Sequence, residues 1–177
     1  MSSAKYIIDA SHSHASFAIR HMMISTVRGE FQKFSGEITY DAAHPEQTTA
    51  TVSIEAASIS TNEEKRDAHL RSADFFDTEK FPSITFTSKS AKATGEGFTL
   101  IGDLTMHGVT HEVALAVSEI TAEGKDPWGN LRMGGTATTK VKRSDYGLQW
   151  NVALEAGGVL VADEVKIQLE VELIKQA

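Results

Sequence analysis

The stretch Val165-Lys-Ile-Gln-Leu-Glu-Val-Glu-Leu173 places Val165, Ile167, Leu169, Val171 and Leu173 on one parity and Lys166, Gln168, Glu170 and Glu172 on the other. Side chains of an extended chain alternate between its two faces, so this is a strand with one apolar and one wet side. Such a strand needs partners that cover its apolar side, and the chain supplies several with the same period. Val113, Leu115 and Val117 repeat it, as do Val52 with Ile54, Ile84 with Phe86, and the run Phe98, Leu100, Gly102, Leu104 and Met106. Leu131, Met133, Ala137 and Val141 make a further set. Val, Ile and Thr occupy 40 positions, and their branched Cβ suits pleated sheet better than helix. The predicted class is all-β.

Between these runs stand the residues that hairpins use: Asp41 to Pro45, Gly95-Glu-Gly97, His107-Gly108, Asp126-Pro-Trp-Gly-Asn130 and Ala156-Gly-Gly158. Short punctuation of this kind makes consecutive strands antiparallel neighbours. The strands are placed near 5–8, 14–23, 26–40, 48–60, 83–93, 97–106, 109–122, 130–142 and 160–175; with the first two acting as one interrupted strand, eight result. One stretch breaks the period. Thr61-Asn-Glu-Glu64 has the form of a capping box and is followed by helix formers up to Arg71, so a short helical excursion is expected near 62–77. Phe75, Phe76 and Phe81 on this excursion must fold back against the end of the sheet structure. Periodicity alone leaves an open sandwich and a closed barrel equally available; a barrel of eight strands removes exposed edges and can hold one small ligand.

The 177 residues contain no linker, repeat or low-complexity segment and read as a single domain spanning 1–177. Seventeen basic against 24 acidic residues give a net charge of −7, which argues against nucleic acid and against a general electrostatic hold on anionic lipid surfaces. The absence of cysteine excludes thiol nucleophiles, iron–sulfur clusters and thiolate metal sites. The longest apolar runs, Val113 to Val117 and Val159 to Ala162, are strand-sized, far below the ~20 residues of a bilayer-spanning helix. Met1 to Asp9 contains no apolar segment of signal-peptide length, from which a cytoplasmic location is expected, or a periplasmic one if a leader was removed.

The ordered motifs Tyr6-x-Ile8-Asp9-x-x-His12-Ser13, Phe17-x-x-x-His21, Arg28-Gly29-x-Phe31-x-x-Phe34-x-Gly36 and Arg66-Asp67-x-His69-Leu70 run through the first half of the chain. Asp74-Phe-Phe-Asp77, Phe81-Pro-x-Ile84-x-Phe86, Gly102-Asp-Leu-Thr-x-His107-Gly108, Asp126-Pro-Trp-Gly129 and Arg143-Ser-Asp-Tyr-Gly147 continue the series. Together, from about Tyr6 to Glu172, they resemble the YceI family, the polyisoprenoid-binding proteins of lipocalin-like fold. The resemblance implies an antiparallel eight-stranded up-and-down barrel with a long apolar interior, closed in part by the helical excursion, and a homodimer. It also implies a non-enzymatic carrier or store of a long-chain isoprenoid or quinone-like amphiphile. Many members carry an export signal, and this sequence departs from that pattern.

The inward parity nominates Phe17, Ile19, Phe31, Phe34, Phe86, Leu100, Leu115 and Met133 as ligand-lining, with Phe75 and Phe76 added from the excursion. The competing reading is that the same side chains fill a solid core. Gly102, Gly134, Gly135 and Ala137 either relieve tight bends or leave room inside. Arg66 or Arg143 is placed at the cavity mouth, facing a polar or anionic head, with Asp9 and Asp145 as alternative ion-pair partners. His12-Ser-His14 would project two imidazoles to one face of a strand, with a third ligand from His21, His69, His107 or His111; this supports the alternative of a metal-assisted, histidine-dependent hydrolase. Asp67 with His69 could orient a base, but no nucleophile or nucleotide loop accompanies them, and a tether between helix and barrel is favoured. Trp128 and Trp150 are read as packing residues, Trp128 as a turn plug. No catalytic residue, metal or cofactor is assigned.

Overall fold

Strands that share one parity can bury a common face by curling toward each other, and these do. The computed structural model describes residues 3–154 and 159–177. Its strands are β1 (Ala4–Ile8), β2 (His14–His21), β3 (Ser25–Phe31), β4 (Phe34–Tyr40), β5 (Thr49–Glu55), β6 (Ile59–Ser60), β7 (Ser83–Ala93), β8 (Phe98–Met106), β9 (Val109–Ser118), β10 (Gly124–Lys125), β11 (Leu131–Lys142) and β12 (Val161–Lys175).

Three pairs of these are halves of longer strands. The end of β12 pairs with β1 at Tyr6↔Lys175, while its earlier part pairs with β2 at Phe17↔Ile167. In the same way β1 lies beside β4 and β2 beside β3, and β4 lies beside β5 and β3 beside β6. The ladder continues antiparallel through β7, β8, β9 and β11, and closes where β11 meets β12 from Arg132↔Ile174 to Lys142↔Glu164. Counted as long strands, this is the eight-stranded up-and-down barrel, not a sandwich, with β10 as a short addition at its rim.

The stretches read as continuous at 26–40 and 48–60 are each interrupted, at Gln32-Lys33 and at Ala56–Ser58. The breaks sit side by side: the Gln32 amide donates to the Ser58 carbonyl at 3.1 Å and the Lys33 amide to the Ser58 hydroxyl at 3.0 Å. The interruption between β1 and β2 is held at Asp9, whose amide donates to the Glu172 carbonyl at 2.9 Å. β9 stops at Ser118, short of the expected 122, because Glu119 takes a positive φ of 53°.

The expected helix is α1 (Glu64–Arg71), but Thr61 is not its cap. The Glu63 carboxylate accepts from the Lys65 and Arg66 amides at 3.3 and 2.7 Å, leaving Thr61 to donate its amide and hydroxyl to buried Asp67 at 2.8 and 2.6 Å. After α1 the chain folds back, as its aromatics require. Phe75 is buried, Phe76 meets Phe31 edge-on at 5.9 Å, and Phe81 meets His107 at 4.9 Å. Phe81 also covers the His107-Gly108 turn, where Gly108 has φ +74° and a Cβ would lie 2.6 Å from the ring. The Asp126–Asn130 turn is organised by Asp126, which accepts from the amides of Trp128 and Asn130 at 2.9 Å each. That leaves the Trp128 indole 81% exposed, so it does not plug the turn. The turn expected at Ala156-Gly-Gly158 lies outside the described residues. No helix among the described residues is long and apolar enough to cross a membrane.

Candidate functional site

Inside an eight-stranded barrel the side chains of opposite walls can meet and fill the axis. Here they leave a cavity of about 400 Å³, lined almost wholly by carbon. Small residues at lining positions, Ala15, Ala50, Gly134, Gly135 and Ala137, keep the walls apart. Gly102 does not open space in this way, because a Cβ there would lie 2.6 Å from the Phe86 ring, which fills the gap. The lining runs from Tyr40, Phe98 and Ile120 at one end to Arg66, His69 and Trp150 beneath α1 at the other. β12 alone contributes from Val161 to Leu173, which is ~40 Å along the strand and ~30 Å along the axis of a barrel of ordinary tilt. The space is long and narrow.

Of the residues nominated from parity, Phe17, Ile19, Phe31, Phe75, Phe76, Phe86, Leu100, Leu115 and Met133 line the cavity, as do Arg66 and Arg143. Phe34 does not; it lies in the wall, in the buried cluster of Tyr6, Ile8, Ala15, Met133 and Leu173. The interruption at Gln32-Lys33 shifts the parity between Phe31 and Phe34, and the ring that follows it is covered by its neighbours.

Among the described lining residues only Arg20 and Arg66 are exposed, and both lie at the α1 end, which is therefore the mouth. Arg66 donates its Nε to Thr61 Oγ1 at 2.7 Å and its Nη2 to the Thr61 carbonyl at 3.0 Å. Among the described residues Arg66 makes no ion pair to a carboxylate and its Nη1 has no protein acceptor. Arg143 is different. It is buried, and its guanidinium donates to the carbonyls of Leu148 (2.6 Å), Trp150 (3.0 Å), Ala162 (2.8 Å) and Val161 (3.2 Å). Burial pulls its pKa down, opposed by Asp163. Arg143 thus braces the segment after η1 (Arg143–Tyr146), a 3₁₀ turn, against the start of β12. Neither Asp9 nor Asp145 pairs with Arg66 or Arg143; Asp9 pairs with His12 and Arg132.

Asp67 bonds Thr61 and not His69, so the Asp67–His69 pair needed to orient a base does not form, and Arg66 and Asp67 tether the helix. His69 instead bonds Asp74 at 2.9 Å and sits edge-on to Trp150 at 4.7 Å and to Phe75 at 5.0 Å. Trp150 is therefore part of the mouth, a role beyond packing. It lies in an irregular stretch with no period to give it an inward or outward side.

The two imidazoles of His12 and His14 do not share a strand face, since His12 lies in the 3₁₀ turn Ala10–His12. Asp9, His12 and Glu172 do bring three ligand atoms within 4.8 Å of one another. The Arg132 guanidinium already stands among them, 2.7 Å from Asp9, 3.4 Å from Glu172 and 2.6 Å from Asp126. This is a tie on the barrel wall in which Arg132 and His12 face three carboxylates, and none of these five residues lines the cavity. Its hydrogen bonds raise the His12 pKa, chiefly through Asp9, and lower that of Asp126 from 3.8 to about 2, chiefly through Arg132. A carboxylate with a depressed folded pKa contributes stability that is present above its unfolded value and lost as pH falls. The Asp126 contribution is thus lost between pH 3.8 and about 2, and an Asp126→Asn variant should show a shallower fall of Tm over that window. The His12 contribution has the opposite sign, full below 6.5 and lost as pH rises through its raised folded value, so His12→Ala should differ from the parent mainly on the acidic side.

The YceI-like domain family matches residues 6–173. The chain belongs to the YceI-like family. Among its relatives is a UPF0312 protein of Photorhabdus laumondii, 44% identical over 145 residues, covering 81% of this chain and 75% of that one. The crystal structure of the Campylobacter jejuni YceI protein superimposes with a TM-score of 0.74 at 31% identity, covering 90% of this chain and 91% of that one. A polyisoprenoid-binding domain from Saccharophagus degradans implicated in plant cell wall breakdown shares the fold, with a TM-score of 0.68 at 18% identity over 98% of this chain and 99% of that one. The YceI-like barrel places the cavity, its aromatic mouth and Arg66 on one continuous surface.

Proposed function

We propose that the protein binds and carries a long apolar amphiphile of isoprenoid type, tail in the barrel and head at Arg66, without turning it over chemically. The observation that carries this reading is the long, carbon-lined cavity with two cations, Arg20 and Arg66, as the exposed lining groups among the described residues, both at one end. Membership of the YceI-like family and the polyisoprenoid-binding domain among its structural neighbours support it. Each methylene moved from water to the cavity contributes ~0.8 kcal/mol, but a lipid leaving a bilayer or micelle has gained this already. Selection then falls to the width of the tunnel and to the head.

Native mass spectrometry of delipidated protein offered polyprenol, isoprenoid quinone and polyprenyl phosphate in detergent tests the reading. Uptake of at least one with 1:1 stoichiometry is expected; a protein that takes up none of them is not such a carrier. Arg66→Gln is expected to lower polyprenyl phosphate uptake about tenfold, the scale of one charge-assisted hydrogen bond, with little effect on polyprenol. Equal loss for both would remove Arg66 from the head site.

A further inference from the structure

Net charge hides how the charges are placed. Side chains of β2, β3, β11 and β12 that alternate with the cavity lining point outward, and register brings Arg28, Ala18, Lys166 and Lys140 into one row across the four strands. The row spans three strand spacings, ~14 Å. Lys140 and Lys166 are direct cross-strand partners, an arrangement of like charges that destabilises a sheet. Arg28, Lys140 and Lys166 are all exposed, line one surface groove together with Ser16, Thr138 and Gln168, and form no ion pair among the described residues. Arg20 extends this face to the rim of the mouth, where among the described residues it bonds Thr26 and the Met23 carbonyl. Of the nearby acids, Glu30 pairs with His14, and Glu164 is the cross-strand neighbour of a further lysine, Lys142.

The hairpin that joins β2 to β3 ends this basic face with an apolar tip. Met22 and Met23 both hold positive φ, 53° and 59°, in a two-residue turn closed by the Ile24 amide donating to the His21 carbonyl at 3.0 Å. Asn and Gly are the usual residues of such a turn, and here it carries Met-Met. Met23 and Ile24 are 69% and 74% exposed. The Met22 amide donates to Leu160, and the Leu160 amide to Val152, so the tip is flanked by exposed Val152 and Val159. Five of the seven large hydrophobic residues exposed among the described residues are gathered at this one place. They adjoin His21 and Leu160, which line the cavity at its mouth.

We infer that this edge of the barrel docks on an anionic lipid bilayer, with the Met22-Met23-Ile24 tip entering the headgroup region and the Arg20, Arg28, Lys140 and Lys166 face meeting lipid phosphates. Apolar insertion beside a basic surface is the combination that holds peripheral proteins on such membranes. Charges farther away than the ~8 Å screening length weaken little of this local attraction, so a net charge of −7 does not oppose it. The inference rests on the lipid-carrier reading for its purpose, since it would put the mouth at the surface from which the cargo comes, and on the register and exposure above for its geometry.

Vesicle flotation with phosphatidylcholine alone and with added phosphatidylglycerol tests it. Binding is expected only with phosphatidylglycerol and should weaken as salt rises. At ~1 kcal/mol per surface cation, Lys140→Gln/Lys166→Gln should lower vesicle partitioning roughly 30-fold, with Tm unchanged or higher because the like-charge pair is gone. Met23→Ser/Ile24→Ser should lower it at least tenfold. Neither pair lies in the cavity, so uptake of polyprenol from detergent should stay at the parent level in both variants. Absence of vesicle binding, binding that ignores both sets of substitutions, or a parent dimer that these variants convert to monomer would each overturn the docking inference. Failure of polyprenol uptake in the parent protein overturns the carrier reading instead, and vesicle binding is read separately from it.

Discussion

Ala137→Phe is expected to reduce loading with a long polyprenyl chain on the order of 1000-fold while the barrel stays folded. Ala137 sits on the inner face of β11, pairs with Val117 and Leu169, and lines the middle of the cavity rather than its end. A phenyl ring there would stand in the tunnel and take the place of about one prenyl unit. That unit's five carbons, at ~0.8 kcal/mol per methylene, amount to ~4 kcal/mol of lost burial, about three powers of ten in affinity. The void is already present, so the ring needs no repacking of the walls, and the change in stability should stay below the ~1–3 kcal/mol of ordinary overpacking. Titration with a series of polyprenols separates steric block from misfolding. Short chains should still bind, and the chain length giving the tightest binding should fall. Unchanged affinity for long chains would mean that the lipid does not lie along the barrel axis.

Arg143→Met should destabilise the protein by about 3–5 kcal/mol, read as a lower urea midpoint at unchanged slope. The side chain serves four backbone carbonyls from two separate segments, Leu148 and Trp150 on one and Val161 and Ala162 on the other. Met keeps much of the volume and none of the donors, and each carbonyl left buried without a partner costs about 1–3 kcal/mol before relaxation or water entry. Arg143→Lys should recover only part of the loss, since one ammonium cannot reach four acceptors held in a guanidinium's plane. Trp150 and Leu160 ride on the braced segments and line the mouth, so the Met variant should also release bound lipid faster. A midpoint within experimental scatter of the parent would show that the carbonyls are satisfied without Arg143.

The wall of the barrel could be read from one dimension because its rule is local. Val165 to Leu173 needs only its own alternation to show which side is dry, and the same holds for Leu100, Leu115 and Met133, all of which line the cavity. Closure needed more, since parity is compatible with a sandwich; the family motifs supplied that step. Local rules fail where the chain changes parity or leaves the sheet. Nothing in Gln32-Lys33 marks an interruption, yet the chain changes parity there: Phe31 shares the inward side with Val27, Phe34 shares it with Ile38 and Tyr40, and the Phe34 ring is buried among its neighbours. Trp150 and Arg143 owe their places to the irregular path after η1, and Trp128 stays exposed because Asp126 alone suffices to hold its turn. The basic row of Arg28, Lys166 and Lys140 belongs to three distant parts of the chain, and only strand register brings them together.

The pairing of Tyr6 with Lys175 sets the first and last strands side by side, at the end of the barrel away from α1. Fusion partners, dyes or surface linkers attached at either terminus will therefore project from the far end. Immobilised through such a handle, every molecule would present its opening to the solution, which makes the fold a convenient oriented receptor for apolar guests.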